Sequence, residues 1–316
     1  MGKRKQIGTR KRRRALIAAV VLLACIILDL FVTKQVYDGI FTRYDEPALF
    51  SEEEFASAFA YTENGVFACG SNLLSSKLYA PKEPNGTLCV LVPGMRAGFS
   101  DLLPLTAELA MRGYTVFSFD PTGARGSGGD SGVGFYQTVY DLEACLSFIE
   151  ENGLFGCEKL VVIGHSRGGY AACTAGCSAE GVSAVVSVSA PDSCMDAVIG
   201  SSSGFVGSAA AYANYPALWL YQARMFGPAK VGQRASRAVR KADIPVLIIH
   251  GADDDTVRPD AYSLYARAQK AGGNAELALL PGGHTDVIYE DDGTVSAVFL
   301  QTVCDFLAAA TAGRSE

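Results

Sequence analysis

The stretch KLVVIGHSRGGYAA, Lys159 to Ala172, sets one serine among three glycines directly after a run of strand-forming residues. Glycine weakens a strand interior, so Gly164, Gly168 and Gly169 around Ser166 imply a backbone turn too tight for a Cβ. Such a turn, with a strand ending at the first glycine and a helix starting at the serine, lifts a hydroxyl clear of the main chain as a nucleophile. The pattern G-x-S-x-G is weak alone, and Gly200 to Gly204 (GSSSG) matches it too. Ser202, however, follows MDAVI and reads as part of a flexible loop, whereas Ser166 has LVVI before it and the small residues GGYAACTAG after it.

A serine hydroxyl is a poor nucleophile at neutral pH and needs a base beside it. The chain has three histidines. His165 directly precedes Ser166, so its side chain is expected to project away from the tip of the turn. His250 ends the strand pattern VLIIH, where packing or a loop hydrogen bond is the expected role. His284, in LLPGGHTD, follows the last strand pattern, and its loop can carry the imidazole over the edge of the sheet. Elimination leaves His284 as the base. An imidazole base needs a carboxylate to fix its tautomer and stabilise the imidazolium. HGADDDTVRP offers Asp253, Asp254 and Asp255. Asp254 is favoured because it stands three residues after Gly251 and three before the apolar Val257, which can anchor the turn. A developing oxyanion needs backbone N–H donors; those expected are Arg167, after the nucleophile, and Met95, in the turn PGMRAG. Gly94 alone would equally explain a tight turn there.

These groups must be held by a scaffold. Continuous apolar runs that read as strands (KLYAP and TLCVLVP on either side of the turn KEPNG, then YTVFSFD, KLVVIG, VSAVVSVSA, IPVLIIHG and AELALLP) alternate with amphipathic helical runs such as DLLPLTAELAMRG and VSAVFLQTVCDFLAAA. That alternation predicts an α/β fold with a mostly parallel sheet covered by helices on both faces. Between Ala190 and Asp243 no strong strand pattern appears, and a structureless loop of that length is improbable. Residues 191–243 are therefore expected to form a small helical cap. Its Phe205, Tyr212, Tyr215, Trp219, Tyr221 and Phe226 either line a pocket or fasten the cap to the body.

Taken together, LVPGM, RGYTVFSFDPTGARGSGGDSG, VIGHSRGG, IIHGADDDTV and PGGHTD resemble the α/β-hydrolase superfamily, and within it the serine aminopeptidase-like and esterase-type hydrolases, from about residue 60 onward. The order Ser166, Asp254, His284 matches that family's arrangement. The resemblance implies a serine hydrolase that cleaves ester, thioester or amide bonds of a small-molecule or peptide substrate through an acyl-enzyme, without metal or cofactor. Family members often carry His-Gly where this chain has Pro93-Gly94. A catalytically silent binding protein on the same fold is the alternative.

The first 14 residues hold eight Lys or Arg and no acid; the remainder has 19 basic and 33 acidic residues, a net charge of −14. A body so acidic is not expected to bind nucleic acid. Ala15 to Val32 is an apolar run of 18 residues interrupted only by Asp29 near its end. A spanning helix needs about 20, and the basic flank marks a cytoplasmic end. The reading is a basic tail (1–14), a membrane anchor (15–32), a stem (33–56) and an extracytoplasmic hydrolase domain (57–316). A cleaved signal peptide is the rival, though no small-x-small site follows the run; LLAC, ending at Cys25, resembles a lipobox, but the apolar run continues past it. The nine cysteines form no CxxC, and no histidine stands at ligand spacing, so no zinc site is indicated. Cys89, Cys145, Cys173 and Cys304 read as small core residues, and Cys173 and Cys177 are one helical turn apart. Arg96 and Arg224 are the cations that could meet an anionic substrate.

Overall fold

The computed structural model describes residues 2–260, 262–273 and 275–312; the side chains of residues 2–11, 201–206, 208 and 210 lie outside the description, and with them most of the basic cluster, Ser202 and Phe205. Eight strands form one sheet: β1 (Phe59–Cys69), β2 (Asn72–Pro81), β3 (Thr87–Val92), β4 (Thr115–Phe119), β5 (Lys159–His165), β6 (Val182–Val188), β7 (Val246–Gly251) and β8 (Glu276–Leu280). Their order is β1-β2-β4-β3-β5-β6-β7-β8. The pairs β1/β2 and β2/β4 are antiparallel, and every pair from β4 to β8 is parallel.

The helices are α1 (Gly2–Ile40), α2 (Glu52–Phe55), α3 (Leu103–Met111), α4 (Gln137–Glu151), α5 (Arg167–Ala171), α6 (Cys194–Val206), α7 (Ser208–Ala213), α8 (Tyr215–Phe226), α9 (Pro228–Val231), α10 (Ala235–Lys241), α11 (Leu264–Ala271) and α12 (Ala297–Thr311). Strand periodicity divides the core in two. On β3, Leu88, Val90 and Val92 face a cluster with Val139 and Leu142 of α4 and Leu264 of α11, while Cys89 and Leu91 face Leu103 and Leu109 of α3 and Phe299 and Val303 of α12. Because the parallel strands β3 to β7 are covered on both sides, they read as unbroken apolar runs, while β8 at the edge is half exposed.

KLYAP and TLCVLVP, the strands on either side of a turn, do not pair with each other: β2 joins the antiparallel edge, and β3 lies between β4 and β5. The structure differs from the sequence expectations in three places. β1 carried no recognised signal, because one face of this edge strand is largely exposed and its sequence is broken by Glu63, Asn64 and Gly65. GSSSG lies inside α6 rather than in a loop. Finally, residues 33–41 do not hang free as a stem. Helix α1 runs on to Ile40, and Thr33, Tyr37 and Phe41, four residues apart and so on one helical face, are buried in the body. In contrast, no residue from Arg12 to Asp29 is buried, and Leu16 to Val32 expose apolar side chains all round the helix.

All nine cysteines are free thiols; Cys89, Cys145 and Cys173 are buried, and Cys304 is half-buried. Between β6 and β7 stand α6 to α10. Trp219, Tyr221 and Phe226 of α8 pack on the main core, while Tyr212 and Tyr215 are exposed.

Candidate active site

The Ser166 turn is built by close approach of backbones. A Cβ on Gly164 would lie 2.2 Å from the carbonyl oxygen of Gly168, and one on Gly168 would lie 2.1 Å from that of Val92. Neither contact can be relieved by moving a side chain, so only glycine fits. Ser166 itself has φ 54° and ψ −117°, a sparsely populated region that costs a non-glycine residue ~1–3 kcal/mol. The Ser166 N–H donates to the Val188 carbonyl at 2.7 Å, and Tyr170 N–H returns to the Ser166 carbonyl at 3.0 Å. The strained residue is thereby held between β6 and α5.

Two loops at the same sheet edge complete the group. A Cβ on Gly251 would lie 2.3 Å from the Gly283 carbonyl oxygen, so glycine there lets the loop after β8 approach the loop after β7. Asp253 N–H donates to the Gly282 carbonyl at 3.0 Å and joins them. His284 then reaches both ways. Its Nε2 lies 2.8 Å from Ser166 Oγ, and its Nδ1 lies 2.8 Å from Asp254 Oδ2. A carboxylate only accepts, so Nδ1 carries the proton and the bare Nε2 accepts from the serine hydroxyl. An imidazole so placed can take the hydroxyl proton as the oxygen attacks.

Asp254 is buried, while Asp253 and Asp255 are exposed. Its Oδ1 accepts from Thr256 N–H at 2.9 Å and Val257 N–H at 2.8 Å. Burial alone would raise its carboxyl; hydrogen bonds from His250, His284 and the Val257 N–H outweigh that and hold it well below the usual carboxylate range.

His165 departs from the expectation. Its ring does not turn away; it lines the cleft beside Ser166, and its Nε2–H donates to the His284 carbonyl at 2.9 Å. Burial, with the neighbouring His284, pushes its pKa down to about 3, so it stays neutral. Adjacency to Ser166 in sequence concealed this role, because the strained serine swings the chain.

Arg167 opens α5, and Met95 lines the cleft with Gly94, Ser166 and His284. Among the described residues, no backbone carbonyl takes either N–H. The Arg167 side chain is turned away and buried, donating to the carbonyls of Phe135 (3.1 Å), Gly132 (3.3 Å) and Gly134 (2.5 Å), with its guanidinium 5.5 Å from the Phe41 ring.

The cleft above Ser166 has a volume of about 490 Å³. Its apolar wall is Leu49, Phe50, Met95, Leu102 and Tyr289, and Arg96 is its one guanidinium among the described residues. Among the described residues, neither Arg224 nor a cap aromatic lines it. Tyr44, Leu49 and Phe50 come from the segment just after α1. That segment is fastened by bridges of Thr42 to Ser131 and Tyr44 to Ala124, and by the Arg43 guanidinium donating to the carbonyls of Ser127, Gly129 and Arg125. Among the described residues there is no cluster of three or more His, Cys, Asp or Glu able to hold a metal ion.

Residues 89–298 match the model of the alpha/beta hydrolase family, and the chain belongs to that family. The fold is the alpha/beta hydrolase fold, shared with solved structures of low sequence identity. The esterase Pf2001 of Pyrococcus furiosus is 17% identical with a TM-score of 0.63, over 85% of this chain and 98% of that one. Est1E of Butyrivibrio proteoclasticus, solved with ferulic acid bound, is 18% identical with a TM-score of 0.59, over 79% of this chain and 100% of that one. The acylaminoacyl peptidase of Pyrococcus horikoshii is 17% identical with a TM-score of 0.56, over 81% of this chain and 42% of that one. No curated protein matches the chain.

Proposed function

We propose that the protein is a membrane-anchored serine hydrolase cleaving carboxylic esters with an apolar acyl or alkyl part. The observation that carries this reading is the unbroken relay from Ser166 Oγ through His284 to Asp254, with 2.8 Å at both steps, on a strained turn. Ser166 Oγ attacks the carbonyl carbon while His284 Nε2 takes its proton. The oxyanion is received by the N–H groups of Met95 and Arg167. His284 then hands the proton to the leaving alcohol, and the acyl group stays on Ser166 until water, deprotonated by His284, releases it. Asp254 remains ionised throughout and stabilises the imidazolium.

The apolar wall of the cleft supports an ester with a hydrophobic portion, and esterases are among the structural neighbours. Membrane anchoring is supported by the uncovered apolar helix, long enough to cross a bilayer, with its basic N-terminal flank. Residues 15–32 span, the N-terminus is cytoplasmic, and the 57–316 domain, with 191–243 as its cap, lies outside.

A fluorophosphonate probe should label the wild type and leave Ser166→Ala unlabelled; labelling that survives the substitution refutes the nucleophile. Turnover of p-nitrophenyl esters of increasing chain length against aminoacyl anilides tests the substrate class. Preference for anilides would overturn the ester reading, and absence of turnover on both would favour a silent binding protein.

A further inference from the structure

The last turns of α1 fix how the body sits relative to the apolar run. Thr33 Oγ1 donates to Asn214 Oδ1 at 3.0 Å, and Tyr221 donates to Asp38 Oδ1 at 2.5 Å. The Tyr37 and Tyr221 rings meet edge-on at 5.2 Å. Residues 33 to 38 of α1 therefore run alongside Asn214, which caps α8, and residues 215 to 221 of α8, and the two helices are parallel. Asn214 and Tyr215 stand at the level of Thr33, the first residue after the run 15–32. From there α8 rises away at about 1.5 Å per residue. Because α7 leads directly into Asn214, it ends at that same level.

The cap segment at this end holds no charged residue of its own, although Lys34 is exposed on the adjoining turn of α1, Arg234 lies near Tyr215, and Asp196 and Arg267 lie near Tyr212. From Ala197 to Ala223 there is no Asp, Glu, Lys or Arg, although the chain after residue 14 has a net charge of −14. Tyr212 and Tyr215 are exposed there, as are Val36 on the adjoining turn of α1 and, more than a turn farther along α8, Leu220. None of these four lines the cleft over Ser166. Tyrosines with an apolar ring and a polar tip settle at the headgroup level of a bilayer.

We propose that the face formed by α7, the first turns of α8 and Val36 rests on the lipid bilayer that α1 enters, so that the body docks on the membrane instead of hanging from a tether. This rests on reading residues 15–32 as a membrane span. The occupant is the bilayer because the face is continuous with that span, at its level, and clamped to it without a linker. Tyr44, Leu49 and Phe50 follow α1 within ten residues, so docking would also fix the height of the ester cleft above the lipid.

Trp219 is the only tryptophan, which makes the test direct. Full-length Trp219→Phe/Tyr215→Trp is reconstituted in phosphatidylcholine vesicles brominated near the headgroup end of the acyl chain. Leu220→Trp in the same Trp219→Phe background is a second probe of the face, and Met111→Trp, an exposed site before the N-terminal end of β4 and thus at the opposite end of the sheet, is the reference. Flotation in alkaline carbonate reports the span independently. The proposal expects flotation, with emission from position 215 or 220 reduced by roughly half for a ring about 5–10 Å into the headgroup boundary, and emission from position 111 unchanged. Flotation with positions 215 and 220 quenched no more than 111 would overturn docking and leave the anchor standing. Failure to float would overturn both.

Discussion

His250 and His284 share one carboxylate oxygen. Asp254 Oδ2 lies 3.2 Å from Nε2 of His250 and 2.8 Å from Nδ1 of His284. His250 Nε2 is also 2.7 Å from the Val257 carbonyl, so it carries the proton and divides it between two acceptors. The other nitrogen, Nδ1, is buried with no partner among the described residues. His250 thus pins both the acid and the turn that follows it.

As a positioning residue, His250 should act through Asp254. A hydrogen bond to a charged group is worth ~1.5–3 kcal/mol, and ~1.4 kcal/mol is a tenfold change in rate. His250→Phe is expected to lower kcat roughly 10- to 100-fold with KM little changed, and His250→Gln, which keeps a donor, to recover part of that loss. An unchanged kcat in His250→Phe, or a loss confined to KM, would show that His250 only fills space.

The three consecutive aspartates give a sharper contrast. Asp254 is buried with both oxygens engaged, whereas Asp253 and Asp255 face solvent. Asp254→Asn presents an amide where His284 needs an acceptor, and the wrong tautomer costs about 10⁴ in kcat in the serine-protease precedent. A loss on the order of 10³–10⁴ is expected for Asp254→Asn, against less than about twofold, under ~0.5 kcal/mol, for Asp253→Asn or Asp255→Asn. Equal losses across the three would reassign the acid.

His165 supplies a pH signature. Its folded pKa of about 3 lies below the ~6.5 of an unfolded chain. Between those values the unfolded state binds a proton that the folded state does not. Stability is therefore complete above about 6.5 and falls as the pH drops toward about 3. His165→Gln keeps a donor for the His284 carbonyl without the titration, so its Tm should fall less than the wild type's between about pH 6.5 and pH 4.5. Parallel Tm curves for the two proteins, by calorimetry, would show that His165 does not carry this dependence.

Why some of this was legible in the sequence and some not follows from where each signal resides. Ser166 and Asp254 each follow a buried parallel strand, and His284 follows the half-exposed edge strand β8, whose run AELALLP is still apolar, so strand order alone predicts that their loops meet at one edge. The central sheet was legible for the same reason. His165 was misread because its direction depends on the dihedral angles of Ser166, which composition does not encode. The cleft wall at Tyr44, Leu49 and Phe50 was missed because these residues occupy irregular backbone with no period. The clamp at Thr33, Tyr37 and Phe41 did carry a signal, a spacing of four. It was hidden by the stronger apolar run before it, which invited the reading that the domain began later.

That clamp leads to a truncation test of how the anchor and the site are joined. Removing residues 1–32 deletes the uncovered apolar run but keeps Thr33, Tyr37, Phe41 and the wall residues. Such a protein should fold and hydrolyse a short soluble ester with kcat/KM within about threefold of the full chain, under ~1 kcal/mol of barrier. Removing residues 1–50 also withdraws buried Tyr37 and Phe41, the ring beneath Arg167, and the Tyr44, Leu49 and Phe50 side of the cleft. Loss of a buried aromatic costs ~3–5 kcal/mol, and in a domain of this size each kcal/mol lowers Tm by about 2–4 °C. The shorter protein should therefore melt roughly 10 °C or more below the longer one. It should also lose ester turnover at temperatures where it is still folded, because the loop held by Arg43 and the wall of the cleft are gone. Equal Tm and equal turnover in the two truncations would mean that residues 33–50 are a passive connection.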